Sequence, residues 1–286
     1  IVDFENWCLS RWSPRTVAAY GWELRRLASK YPGKGPLEFR ERDLNQYLAE
    51  RRLLDGVHDA AIKRGVSAFR KFFKWVGKNS PAARLKYPTV VHVREPRTLS
   101  AEQLEAVLLT CDTSCLQGKR DIALIGVMVD ARLRASEVCR LAVVDLDFEN
   151  RRLSVIVKRN KRHVRKFAPE TRALLESWLS VRASALVGVD PGTVFVSLGG
   201  LTRGQPLTSD GLRANFRRMG ERAGLKGFSP HDLCRTFATM TTLHGAPSRT
   251  VQVGGGWSNM DLVELYTRAL DVDAIDSFLP MRGKLG

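Results

Sequence analysis

Residues 79–98 read N-S-P-A-A-R-L-K-Y-P-T-V-V-H-V-R-E-P-R-T, with three prolines and no hydrophobic period. Proline lacks the N–H that a helix interior or central strand needs, so no regular element runs through such a stretch. The chain is therefore expected to fold as two units, and its 286 residues can give each a core. The boundaries read as 1–82 for a helical N-terminal unit, 83–98 for a linker and 99–286 for a second unit.

The first unit carries helical signals. Ser13 before Pro14 makes an N-cap with proline at the first helical position, where its missing donor costs nothing. Val17, Tyr20, Leu24 and Leu27 then recur on one face. A second helix is expected over 42–52, with Leu44, Tyr47 and Leu48 inward. The strongest pattern spans 60–75, where Ile62, Val66, Phe69, Phe72 and Phe73 oppose Lys63, Arg64, Arg70, Lys71 and Lys74. Such a basic stripe is either a solvated face or a track for phosphates. Charge favours the second reading: 46 Lys and Arg against 30 Asp and Glu give +16 and a pI near 10.1. That balance points to a polyanion, nucleic acid before membrane. The excess is shared, 19 basic against 10 acidic over 1–95 and 27 against 20 beyond, so both units are expected to touch one duplex.

In the second unit, Ser100 and Gln103 form a capping box ahead of a helix, and 121–129 is an apolar helix. The run A-R-L-R-A-S-E-V-C-R-L follows over 131–141. Strands are expected over 153–157 and 164–168, flanking K-R-N-K-R-H. Helices are expected over 170–184 and 209–223, the latter carrying Arg213, and from Ser229-Pro230 onward; 193–197 is a short apolar segment. No apolar run approaches the length of a membrane span. The five cysteines are odd in number and scattered, which fits a reducing cytosol and argues against zinc. Gly254-Gly255-Gly256 lacks the Lys of a phosphate loop.

The chemistry concentrates between His231 and Tyr266. H-D-L-C-R-T-F-A-T brings an imidazole and a guanidinium together, and G-G-G-W-S-N-M-D-L-V-E-L-Y sets an indole nine residues before a phenol. A phenol is a covalent nucleophile, while Arg, His and an indole N–H donate to a crowded phosphorane. This stretch resembles the tyrosine recombinase (phage integrase) family, whose pattern is His-x-x-Arg, a Gly-His/Trp, and a nucleophilic Tyr nine residues later. Residues 131–141 resemble its Gly-Leu-Arg-x-x-Glu signature, with Arg132 where Gly is usual.

The resemblance implies a mainly α fold with a small β-sheet. A helical core-binding domain and a mixed α/β catalytic domain would form a clamp around DNA. It implies Tyr266 as nucleophile, forming a 3′-phosphotyrosyl bond, with Arg134, His231 and Trp257 on the phosphate and Glu137 supporting Arg134. The catalytic lysine stands open between Lys158, at the end of the first strand, and Lys161, eight residues before Pro169. The DNA contacts expected are Lys63, Arg64, Arg70, Lys71, Lys74, Lys161 and Arg213. No metal and no cofactor are implied. The partners implied are double-stranded DNA bearing paired recombination sites, a homo-oligomer that is a tetramer on DNA, and accessory DNA-bending proteins. No membrane is implied; the location is the bacterial cytoplasm, with a phage or mobile element as source. The apolar stripe of the tail, Val272, Ile275, Phe278 and Leu279, is expected to dock on a neighbouring protomer.

One position departs from the family. Its second catalytic Arg falls at Cys234, and Arg235 follows. Three readings stay open: that Arg is replaced, Arg235 has taken its role, or the chain binds DNA but cleaves it poorly. A type IB topoisomerase-like nicking-closing enzyme is the rival within the same chemistry.

Overall fold

The computed structural model describes residues 1–77, 79–89, 97–157, 161–257 and 259–267, with the backbone alone at Val157, Lys161 and Tyr266. Lys158, most of the linker's second half (90–96) and the tail with its stripe at Val272, Ile275, Phe278 and Leu279 lie outside the described residues. The chain divides into two compact units, Ile1–Glu95 and Pro96–Gly286.

The first unit is built from α1 (Val2–Leu9), α2 (Pro14–Lys30), α3 (Glu41–Leu53) and α4 (Asp59–Val76). Ser13 caps α2, its Oγ accepting from the Thr16 N–H at 3.3 Å. Helix α1 has no periodic signature in the sequence. It is anchored by Phe4 and Cys8, one turn apart and both buried, with Phe4 edge-on to Phe72 at 5.3 Å. All five apolar residues read on one face of α4 are buried. Among them sits Glu23 of α2, wholly buried and ion-paired to Arg51 of α3 at 2.5 Å and Arg64 of α4 at 3.1 Å. A carboxylate taken out of water persists only where its charge is matched, so this triad ties three helices together.

In the second unit, α5 (Ala101–Leu109) opens behind the Ser100–Gln103 capping box, with both reciprocal bonds at 3.2 Å. Helix α6 (Leu116–Asp130) begins five residues before the apolar run of the sequence. Arg120 and Asp121 are buried there as a pair at 2.7 Å, with Arg120 also donating to the Val196 carbonyl. Pairing hides two charges that a pattern reading takes for a surface. After α7 (Ala135–Val138), strands β1 (Leu146–Asp147), β2 (Arg152–Val157) and β3 (Lys161–Lys166) form an antiparallel sheet in that order. Then come α8 (Pro169–Arg182), α9 (Ser209–Arg222), α10 (Pro230–Leu243), α11 (Ser248–Gly255) and α12 (Asp261–Thr267). The apolar segment 193–197 stays out of the sheet and makes isolated bridges, Ala142 with Thr193 and Val196 with Pro206.

The second hairpin strand lies earlier than the expected 164–168. Register pairs Leu153 with Arg165 and Val155 with His163. The inward face of β3 is thus polar, while Val164 and Ile156 point outward, 61% and 59% exposed. The inversion has a cause in what Arg165 reaches, described below.

Glu23→Ala would strand the buried Arg51 guanidinium. Breaking one partner of a buried pair costs about 3–5 kcal/mol. The first unit's unfolding transition in urea should shift by that order, while the second unit's transition stays in place; an unshifted melt would show that the triad holds nothing.

Candidate active site

The turn 131–134 between α6 and α7, strand β3 and the helices α10, α11 and α12 pack against one another in the second unit. Arg134 is the N-cap of α7. Its N–H donates to Glu137 Oε2 at 2.9 Å and its Nη1 to Oε1 at 3.0 Å, so the guanidinium is braced while the side chain stays half exposed. Glu137 is buried, and Arg165 Nη2 lies 3.9 Å from its Oε2. Arg165 is buried too, and its Nη1 donates to the carbonyls of Ala131 and Arg132, both at 2.7 Å. The inward place on β3 that alternation gives to a hydrophobe is thus held by a guanidinium that fixes the turn presenting Arg134.

Arg132 adopts a φ of +48°, the left-handed region where a side chain costs about 1–2 kcal/mol. Glycine bears no such cost. The Arg132 side chain folds inward, leaving the residue 3% exposed with its guanidinium 4.4 Å over the Trp257 ring. Its Nε and Nη2 have no hydrogen-bond partner among the described residues. Burial, then the neighbouring Arg165 and Arg134, lower its pKa to about 10, which leaves it a cation at neutral pH.

Cys234 faces the same turn. Its thiol donates to the Leu133 carbonyl at 2.9 Å, and burial pushes its pKa up to about 12, so it contributes no charge. Arg132 exerts the strongest charge effect upon it. Arg235 turns away toward Asp232, Nη1 3.4 Å from Oδ1, with its side chain 24% exposed. Asp232 Oδ2 in turn accepts from the Ser229 N–H at 2.9 Å at the start of α10. His231, next to Asp232, is exposed as a residue; loss of solvent around the ring and then the Arg235 guanidinium lower its pKa, against the pull of Asp232. Arg134 and Arg132 act in the same lowering sense.

Gly256 ends α11 at φ +65° and delivers Trp257 into the cluster. A Cβ on Gly256 would sit 3.5 Å from Arg165 Nη2 and His163 Nδ1 and 3.8 Å from Arg132 Nη2. Trp257 is buried with Ala238, Val251 and Val263, and Val263 anchors α12 one turn before Tyr266. The backbone of Tyr266 is helical, and its side chain lies outside the described residues.

Arg134, His231, Trp257 and the helix of Tyr266 thus come together, with Arg235 beside His231. Lys161 begins β3, its side chain undescribed. Of the expected DNA contacts, Lys63, Arg64 and Lys74 are exposed. Arg70 donates to the Leu85 carbonyl and covers Tyr87 at 4.6 Å, and Lys71 covers Trp12 at 4.5 Å, both half-buried. Arg213 pairs with Asp210 at 2.5 Å on α9. Sequence reasoning missed Arg165; the signal available was a basic residue at the inward step of an alternating strand. A cavity of about 860 Å³ beside Arg134 and Glu137 is lined also by Asp145, Ser154 and Thr193. It reaches neither His231 nor Trp257, and the grouped cations mark the site better than the hollow does.

Residues 97–272 match the model of the phage integrase family. The chain is 30% identical to the tyrosine recombinase XerD of Ralstonia nicotianae over 261 residues, covering 88% of this chain and 83% of that one. It is 28% identical to the tyrosine recombinase XerC of Corynebacterium glutamicum over 230 residues, 78% and 72% of the two chains. Among solved structures, the Tn1549 transposon integrase in complex with transposon right-end DNA superposes with a TM-score of 0.74 at 18% identity, covering 98% of this chain and 97% of that one.

His231 should titrate below the ordinary 6.5. Because its folded pKa is the lower, the unfolded chain binds more protons between the two values. The stability involved is present above the ordinary imidazole range and is lost as pH falls through it. An NMR titration of the imidazole checks the midpoint, and His231→Gln should flatten that acid-side loss; a midpoint at or above 6.5 would contradict the loss of solvent around the ring and the Arg235 charge beside it.

Proposed function

The chain belongs to the phage integrase family of tyrosine recombinases, and on the geometry of its second unit we propose that it is a site-specific DNA recombinase acting through Tyr266. The observation that carries this reading is a pocket one anion short. Among the described residues Glu137 is the carboxylate in ion-pair reach of Arg134 and Arg165, with the buried Arg132 and His231 close by and Trp257 packed between Arg132 and the helix of Tyr266. A phosphodiester is the ligand such a pocket suits, because planar guanidiniums hold phosphate oxygens by paired charge-assisted bonds.

In the proposed reaction the Tyr266 hydroxyl loses its proton to solvent as its oxygen attacks the scissile phosphorus, forming a 3′-phosphotyrosyl bond while the bond to the 5′-oxygen breaks. The 5′-oxygen leaves and takes a proton from Lys158 or Lys161. The 5′-hydroxyl of a partner strand then attacks the phosphotyrosine and releases Tyr266. The P–O bond is exchanged each time, so no nucleotide is consumed. Arg134, His231 and Trp257 stabilise the charge that builds on the phosphorane. Both units carry net positive charge and hold the same duplex, and four protomers on two paired sites, with DNA-bending proteins assisting, form the working assembly in the bacterial cytoplasm. A second reading has one observation in its favour: neutral, buried Cys234 lacks the clamp of a guanidinium, which suits a chain that binds DNA and cleaves it slowly.

Tyr266→Phe should keep duplex affinity and lose every covalent protein–DNA adduct on a nicked suicide duplex, since only the nucleophilic oxygen is removed. An adduct formed by the Phe variant would assign the nucleophile elsewhere.

Affinity for duplex DNA should fall steeply with salt, the log–log slope being about 0.9 per phosphate neutralised. Reversing Lys63 and Lys74 to Glu should lower that slope; a Kd insensitive to salt would defeat electrostatic binding by the first unit's basic face.

A further inference from the structure

We propose that Arg132 supplies to the scissile phosphate the second guanidinium that Cys234 cannot. The inference rests on the recombinase reading of the site and gives a definite contact to a residue that the reading counts only among the site's cations.

Two departures from the family pattern meet in space. Position 132, where Gly is usual, carries a long cation, and position 234, where Arg is usual, carries a short neutral thiol. Cys234 ends at the Leu133 carbonyl and leaves the volume beyond it to other side chains. The Arg132 guanidinium occupies the neighbourhood. It exerts the strongest charge effect on Cys234, lies over the Trp257 ring, and reaches toward the Gly256 turn beside Arg165 and His163.

Arg132 also has donors to give. It is 97% buried by its 3% exposure, yet Nε and Nη2 find no acceptor among the described residues. Buried donors left unpaired are unfavourable, and a charged one more so, so a site that keeps them is arranged for an acceptor that arrives. Arg165 shares the burial and one unpartnered nitrogen, but its Nη1 is spent on two backbone carbonyls and it serves as scaffold. Arg132 makes no such bond, and stacking on the indole fixes its plane without using its N–H groups. The backbone is held at φ +48° to place it, a conformation that Gly would adopt freely. Strain kept at a site where a smaller residue fits better points to function.

Arg235 is the other candidate for the missing charge. It shares with Arg132 a buried Nε that has no partner among the described residues, but its Nη1 is engaged with Asp232 at 3.4 Å and its charge acts on His231.

The test uses the full chain and a nicked suicide duplex whose sequence is enriched from a randomised duplex pool by binding to the unaltered protein. Single-turnover formation of the Tyr266 adduct is timed for the unaltered chain, Arg132→Gly, Cys234→Arg and the double variant. Arg132→Gly should slow the adduct by about 10²–10³-fold, the effect of one preorganised donor, and lower duplex affinity far less. Cys234→Arg alone should bring no gain, because two guanidiniums then compete for one place. The double variant should recover most of the rate, since the charge returns from the other backbone position. Arg132→Gln, which keeps part of the side chain and its φ but not the charge, should be as slow as Arg132→Gly and guards against a mere backbone effect; thermal melts of each variant report folding. An unslowed Arg132→Gly, or a slow one that Cys234→Arg fails to rescue, would overturn the proposal while leaving the recombinase reading intact. An adduct from Cys234→Arg but none from the unaltered chain would also overturn it and keep the reading. No adduct from any of them would remove both.

Discussion

The candidate active site is organised around one buried carboxylate, Glu137. Glu137 accepts from Arg134 twice, through its backbone and through its side chain, and lies against Arg165 on the other flank. Arg165 in turn donates to the carbonyls of Ala131 and Arg132. The turn that carries Arg134 is thereby fixed at both ends, by its own N-cap bond and by a strand that comes from another part of the chain. Without Glu137 the two guanidiniums would face each other with no carboxylate between them, and the turn would lose its brace.

One carboxylate cannot balance the cations it gathers. Burial lowers the pKa of Arg132 and Arg165, and neighbouring guanidiniums add to it, Arg165 and Arg134 at Arg132 and Arg134 at Arg165; burial and then Arg235, with Arg134 and Arg132, hold His231 toward its neutral form. Groups kept at such a disadvantage are concentrated where function requires them. A phosphate entering the pocket relieves the imbalance, and more charge accumulates on a phosphorane than on a phosphodiester. Stabilisation therefore grows toward the transition state, which is the condition for catalysis rather than simple binding. Cys234 fits this frame as a neutral spacer that holds the Leu133 carbonyl, with the charge moved from α10 to the turn.

Much of the architecture was legible in the sequence. Ser13-Pro14, the Ser100–Gln103 box and the apolar stripe of α4 are local signals, and local signals survive folding because capping and periodicity need no distant partner. Arg134, Glu137, His231, Trp257 and Tyr266 could be named because their spacing resembles a family pattern. Three features were not legible, and each depends on a partner far along the chain. Helix α1 is defined by what Phe4 meets on α4 rather than by its own period. The early start of α6 requires Arg120 to find Asp121 and the Val196 carbonyl out of water. The polar inner face of β3 makes sense only once Arg165 reaches the turn at 131–132, more than thirty residues away in sequence. Arg132 was visible as an odd residue, but its conformation and its indole partner belong to the fold alone.

The central claim is that the cationic pocket holds a scissile phosphate for attack by Tyr266. It is tested most directly by trapping the unaltered chain on a nicked suicide duplex, digesting the adduct and sequencing the modified peptide by tandem mass spectrometry. The expected result is one modified site, Tyr266, joined to a nucleotide through its 3′-phosphate, with a free 5′-hydroxyl on the released strand. A modification on any other residue, or a phosphotyrosine carrying a 5′-linked nucleotide, would contradict it.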